Sequence, residues 1–208
     1  MSKSYHHGDL RNALIVAAAQ LIEEAGSPDF AISDAAKRAG VSAAAPYRHF
    51  KDRDDLLQAV SELCFIGLAE AAVNTRDSYP VGSRECIIAL GKTYLDYVSS
   101  HAAFYNLMWC DDKHVMEDPE SASERRPGFY TFTGAVQDWC EKRGLIGCDS
   151  LDLGVKLWAM AHGLAVLNIN SQLTFFLPEA DVAEMLSSSA NTFLDGVEQH
   201  HEASESGC

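Results

Sequence analysis

The sequence predicts an all-α fold. Hydrophobic residues recur at three- and four-residue spacing along most of the 208-residue chain, and no segment alternates apolar and polar residues with period two. Helix start and stop signals punctuate the periodic stretches. About nine helices are expected, three in an N-terminal helix-turn-helix domain (residues 1–58) and six in a C-terminal domain (residues 59–208).

Leu10, Leu14, Ala17, Leu21 and Ile22 line one face of a first helix that stops at Gly26-Ser27-Pro28. Within Ile32–Leu57, two short helices joined by a tight turn follow. Ala36 and Gly40 share a face where small residues admit a second helix, and Gly40 suits the left-handed turn that ends a helix. Val41 plugs the corner, and Ser42 is placed to cap the next helix. That helix carries Tyr47, Arg48 and His49, with Lys51 and Arg53 just beyond. Phe50 is the better core candidate, which leaves Tyr47 at the rim. A helix, a glycine turn and a capped helix with polar and basic groups are what is needed to enter a major groove. A plain helical hairpin would not need so many exposed polar and basic side chains within seven residues.

Leu56, Val60, Leu63, Gly67, Leu68 and Ala71 mark a longer helix starting near Asp54, and Ile87, Gly91, Tyr94, Leu95 and Val98 mark another. A short piece spans Ala102 to Trp109, and Asp111 to Glu120 reads as an acidic loop. Phe129, Phe132, Val136 and Trp139 give a helix ending in Lys142-Arg143-Gly144. Leu151 to Asn170 is apolar almost all round, so burial on several sides is expected. Val182, Leu186, Ser189, Phe193 and Val197 mark the last helix, and the tail from Gln199 to Cys208 is expected to be disordered.

The net charge of −14 argues against a nucleic-acid partner until the chain is split. Residues 1–58 hold seven Lys/Arg against eight Asp/Glu, one net negative; the rest hold nine against twenty-two, thirteen net negative. The acidity therefore belongs to the C-terminal part. The six cysteines form no C-x-x-C pair, and most sit in apolar surroundings, as buried reduced thiols would. No apolar run reaches the roughly 18 residues of a membrane helix, and the N-terminus lacks an apolar leader. These features predict a cytoplasmic protein that makes no membrane contact.

Over residues 9–58 the sequence resembles the tetracycline-repressor (TetR) family of bacterial transcription regulators. The likeness rests on Ala35-Ala36-Lys37-Arg38-Ala39-Gly40-Val41-Ser42, on Tyr47 with Phe50 three later, and on Asp52-Arg53-Asp54-Asp55-Leu56-Leu57. Trp158 with His162 and Gly163 matches a Trp-x-x-x-His-Gly element of one subgroup. The resemblance implies an all-helical homodimeric repressor on a palindromic double-stranded operator, released by a small-molecule effector and needing no cofactor. By position, it implies that Tyr47, His49, Lys51 and Arg53 contact phosphates. Ser42, Ala43, Ala44 and Ala45 would face base edges, and Arg48 could reach either. The homodimer surface is expected from Ser150–Gln172 and Glu179–Gln199.

Three departures from the family pattern bear on this reading, one being that Ala43, Ala44 and Ala45 offer bases no hydrogen bonds, only close approach and contact with thymine methyls. Pro46 removes the first regular intrahelical bond of the reading helix and disfavours α geometry at Ala45. Ala31 stands where the family has a Ser or Thr cap, a loss of about 1 kcal/mol unless Ser33 takes over.

Candidates for an effector pocket are Tyr94, Phe104, Tyr105, Met108, Trp139, Trp158 and His162, with Tyr97 and Trp109 beside them. Trp158 and His162 are four apart and share a face. For most of the aromatics, core or dimer packing is the simpler reading. A histidine on so apolar a helix needs a polar partner, and a ligand or a buried carbonyl would serve. An aromatic-rich pocket implies a mostly apolar effector. Asp111, Asp112 and His114 lie in an acidic loop, and the remaining histidine pairs lie near the termini, so no metal site is expected. No nucleophile-elbow, zinc-protease, P-loop or dinucleotide-binding motif is present, so no enzyme is expected. Two rival readings are a DNA-independent helical binding module and a helical-bundle enzyme using His162.

Overall fold

The computed structural model describes residues 7–109 and 126–206. Among them nine α-helices and two 3-10 turns occur, and no strand. The helices are α1 (His7–Ala25), α2 (Ile32–Arg38), α3 (Arg53–Arg76), α4 (Arg84–Ser100), α5 (Tyr105–Trp109), α6 (Pro127–Arg143), α7 (Ser150–Ile169), α8 (Gln172–Phe176) and α9 (Val182–Ser206). The 3-10 turns are Pro46–Arg48 and Ala102–Phe104. The acidic stretch 111–120, with Asp111, Asp112 and His114, lies outside the described residues.

The chain divides into two compact units, Met1–Gly67 with His101–Arg125, and Leu68–Ser100 with Arg126–Cys208. The division falls inside α3 rather than at residue 58. In the first unit, Leu10, Leu14, Ala17 and Ile22 of α1 are buried, as their spacing requires. α1 packs on α2 and on the second 3-10 turn. On α3 the spacing misleads at Leu63, which is exposed; its neighbours Cys64 and Phe65 are buried instead, with Leu56 and Val60.

In the second unit α7 packs on α4, α6 and α9. Its core gathers Ile87, Val136, Trp139, Leu153, Leu157 and Leu194. Asp149 caps α7, its carboxylate accepting from the N–H groups of Leu151 (3.0 Å) and Asp152 (3.1 Å). Gly144 ends α6 in the left-handed region at φ 67°, and the Leu145 N–H donates back to the Cys140 carbonyl (3.0 Å), as the glycine stop predicts.

Two expectations are corrected. The tail is helical to Ser206, because α9 is tied down near its end. Arg84 pairs with Asp195 and with Glu198 (2.7 Å), Arg143 lies 3.3 Å from Glu198, and the His201 Nε2 is 3.2 Å from the Ile146 carbonyl oxygen. α7 is not buried on several sides: only 28% of its most apolar window is buried, and Leu151, Val155 and Leu167 are exposed. Both α7 and α3 are long and apolar enough to cross a membrane by length and composition, although no unbroken apolar run marks them; the α3 window is 56% buried.

Candidate nucleic-acid interface and effector site

The helix-turn-helix begins as its residues dictate. Ala31 offers no side-chain acceptor at the start of α2, and Asp34, not Ser33, compensates by accepting from the Ala31 N–H (3.0 Å). At the other end Gly40 has φ 72°. Its N–H donates to Lys37 O (3.1 Å) and the Val41 N–H to Ala36 O (3.0 Å), a paired closure that turns the chain sharply.

The second helix does not form. From Ser42 to Phe50 the regular element is a 3-10 turn over Pro46–Arg48 with Ala45, not Ser42, at its N-cap and no side-chain cap bond. Bonds run from Ala45 N to Ser42 O (2.9 Å), Arg48 N to Ala45 O (3.2 Å) and His49 N to Pro46 O (2.9 Å), all spanning three residues. Pro46 has no N–H to give Ser42, so the four-residue ladder cannot start there. Its expected effect on Ala45 is absent, since Ala45 keeps helical dihedrals of −65° and −39°. The break is therefore in the hydrogen-bond pattern, not in the dihedrals before the proline.

This turn presents a graded edge. Ser42, Ala43, Ala44, Arg48 and Lys51 are exposed and Ala45 is half-buried. Tyr47 is 60% exposed while Phe50 is 2% exposed, the partition expected of rim and core. His49 is half-buried, and its Nε2 is buried with no hydrogen-bond partner among the described residues. Arg53 is held by the chain itself. Its Nε donates to Phe30 O (2.8 Å), an Nη donates to Pro28 O, and its guanidinium lies over the Phe30 ring at 5.6 Å. Arg38 is likewise engaged, forked onto Glu24 at 2.7 and 2.5 Å. That hydrogen-bonded pairing lowers the Glu24 carboxyl from its ordinary value.

The aromatic candidates divide between the units. Phe104, Tyr105 and Met108 belong to the first, where Phe104 and Met108 are buried. Tyr94, Trp139, Trp158 and His162 belong to the second. Trp139 is wholly buried in the core. The other three meet. The Tyr94 hydroxyl is 2.7 Å from the His162 Nδ1, and the Trp158 and His162 rings are 5.0 Å apart. Phe129, read from sequence only as a core position, stands edge-on to Trp158 at 5.9 Å. Burial lowers the His162 pKa from its ordinary 6.5 and so favours the neutral imidazole. No local signal joins Phe129 or Tyr94 to this cluster, because each comes from a different helix.

Three of the thiols are quiet. Burial pushes Cys64 and Cys140 up to about 11 and raises Cys86, the opposite of what a redox sensor needs. Among the described residues no three His, Cys, Asp or Glu are grouped to hold a metal ion.

Residues 14–60 match the family model for bacterial regulatory proteins of the tetR family, and residues 87–191 match the tetracyclin repressor-like C-terminal domain. A Rhodococcus sp. RHA1 protein of unknown function is 27% identical, with 94% of this chain and 98% of that chain covered and a TM-score of 0.77. FadR of Bacillus subtilis, solved with stearoyl-CoA, is 17% identical (89% and 98% covered, TM-score 0.65). LfrR of Mycobacterium smegmatis, solved with proflavine, is 16% identical (88% and 95% covered, TM-score 0.58). No curated protein matches.

Proposed function

The chain belongs to the TetR family of bacterial transcriptional regulators, and from that premise we propose that it is a homodimeric repressor released from a palindromic operator by a small, mostly apolar effector. Residues 1–58 are the reading head. The observation that carries the reading is the exposed edge of Ala43, Ala44, Tyr47, Arg48 and Lys51 in the turn after α2. Arg48, Lys51 and the Tyr47 hydroxyl hold phosphates and set the register. Ala43 and Ala44 offer only methyl groups, which suit close approach and thymine contact. Base readout is therefore sparse and DNA shape supplies part of the specificity. Arg53 and His49, by their partners and burial, support the edge from behind.

The dimer face is α7 with α9. α7 leaves an apolar surface uncovered in one protomer, and a Cβ on Gly163 or Gly196 would meet nothing within 4 Å. A mid-helix glycine costs roughly 1 kcal/mol against alanine, and no packing within the protomer calls for one at these positions. A second copy approaching closely would. Effector recognition falls to Tyr94, Trp158 and His162 with Phe129, a neutral hydrogen-bonding pair beside two apolar rings. The bound proflavine and stearoyl-CoA of the two structural neighbours each join a large apolar part to charged groups, which supports an effector with a large apolar part. Binding shifts the dimer toward a geometry that no longer fits the operator.

Selection of duplexes from a random library by the purified protein tests this. Enrichment of a palindrome with half-sites about one helical turn, or a multiple of it, apart is expected. A folded dimer that enriches nothing would overturn the reading-head assignment.

A further inference from the structure

Seven basic residues lie in residues 1–58 (Lys3, Arg11, Lys37, Arg38, Arg48, Lys51 and Arg53); Lys3 is outside the described residues, and their surroundings set three of the others apart. Arg38 is forked onto Glu24 and Arg53 is bound to the carbonyls of Pro28 and Phe30. Neither is available to a phosphate without giving up those partners. Arg11, on α1, differs. It is exposed, and it has no carboxylate or carbonyl partner among the described residues. Yet it is not loose, because its guanidinium carbon lies 5.3 Å from the centre of the Phe50 ring.

That contact fixes Arg11 beside the reading turn. Phe50 is buried, and its N–H donates to Pro46 O (2.9 Å), so the ring belongs to the turn that carries Tyr47 and Arg48. A cation–π contact uses the ring face and takes none of the guanidinium N–H donors as hydrogen bonds, so they remain for a phosphate oxygen pair. A cation held against a rigid ring has also lost part of its rotamer freedom before any ligand arrives.

We propose that Arg11 is a DNA-backbone ligand of the reading head, a sequence-independent phosphate contact supplied by α1 and preset by stacking on Phe50. The proposal rests on the reading head's binding DNA at all. It predicts one more released counterion than the turn alone accounts for.

The test is the salt dependence of binding, measured on two probes, a generic 30-base-pair duplex and a duplex selected from the random library. Arg11→Met keeps an apolar stem on the ring and removes the charge. It is expected to lower the magnitude of the slope of log K against log salt by about 0.9 on both duplexes, with the thermal midpoint retained. Arg11→Gln also removes the charge and is expected to lower the slope by the same amount, which supplies the measurement should Arg11→Met fail to fold. Arg38→Gln, already paired in the folded chain, is expected to leave the slope unchanged. An Arg11→Met or Arg11→Gln slope equal to wild type overturns the contact. A wild type that binds neither duplex overturns the reading head itself, and Arg11 with it.

Discussion

The Tyr94 hydroxyl and the His162 imidazole are joined by a 2.7 Å hydrogen bond between α4 and α7, across 68 residues of sequence. Tyr94→Phe removes only the hydroxyl. A net loss of about 0.5–1.5 kcal/mol is expected, read by urea unfolding. A double cycle with His162→Gln should return a coupling of similar size; additive losses would mean that the two groups do not depend on each other.

Burial lowers the His162 pKa below its ordinary 6.5. Below pH 6.5 the unfolded chain takes up a proton that the folded chain refuses, so stability falls as the pH drops. The fall ends once the pH passes the folded-state value, and above 6.5 this residue contributes no slope. His162→Gln should flatten the stability profile between those limits. An unchanged profile would assign the acid sensitivity to other groups.

Basic side chains on the reading head should separate into two kinds. Arg53→Met loses two bonds to backbone carbonyls and the stacking on Phe30, so a stability loss of about 1–3 kcal/mol is expected with little change in salt slope. Arg48→Gln should do the reverse, lowering the slope by about 0.9 at unchanged stability. Chemical unfolding and binding titrations on the same samples decide between the patterns.

Gly154 and Gly163 sit on one helix in opposite circumstances. A Cβ on Gly154 would lie 2.8 Å from the Thr133 Cγ2, whereas on Gly163 it would meet nothing within 4 Å. Gly154→Ala should destabilise by about 1–3 kcal/mol less any helix-propensity gain. Gly163→Leu should leave the protomer folded and shift sedimentation toward monomer. A fully dimeric Gly163→Leu would move the dimer face away from this stretch of α7.

Cys140, raised to about 11, is roughly one part in a thousand thiolate at pH 8. Iodoacetamide should leave it unmodified in the folded protein and label it after unfolding, as read by peptide mass. Rapid labelling of the native state would mean that the site opens readily.

What the sequence made legible was local. Gly40 and Gly144 announce their turns because a left-handed residue after a helix has a strong residue preference, and both adopt positive φ. The pair Trp158 and His162 follows from helical spacing alone. What escaped was long-range or cooperative. Arg53 reads as one more basic side chain beyond the turn, and its bonds to the carbonyls of residues 28 and 30, more than twenty positions upstream, have no local signal. The tail reads as disordered because what holds the end of this helix, Arg84 against Asp195 and Glu198 and the Ile146 carbonyl against His201, lies far upstream. Nine helices were expected and nine α-helices are described, yet the sets differ: the reading segment is a 3-10 turn, and the short α8 was not foreseen.

The exposed Ala43 and Ala44 have a consequence for how such a regulator diverges. Neither methyl is part of the packed interior, so most replacements there should leave folding within about 0.5 kcal/mol. Meanwhile Pro46 and Phe50, both buried, keep the frame of the turn fixed. A duplicated copy could thus acquire a new target by one or two codon changes without first acquiring a stabilising background. On the proposed reading of DNA, the two alanines offer a nearly blank face, on which new preferences can be written one side chain at a time.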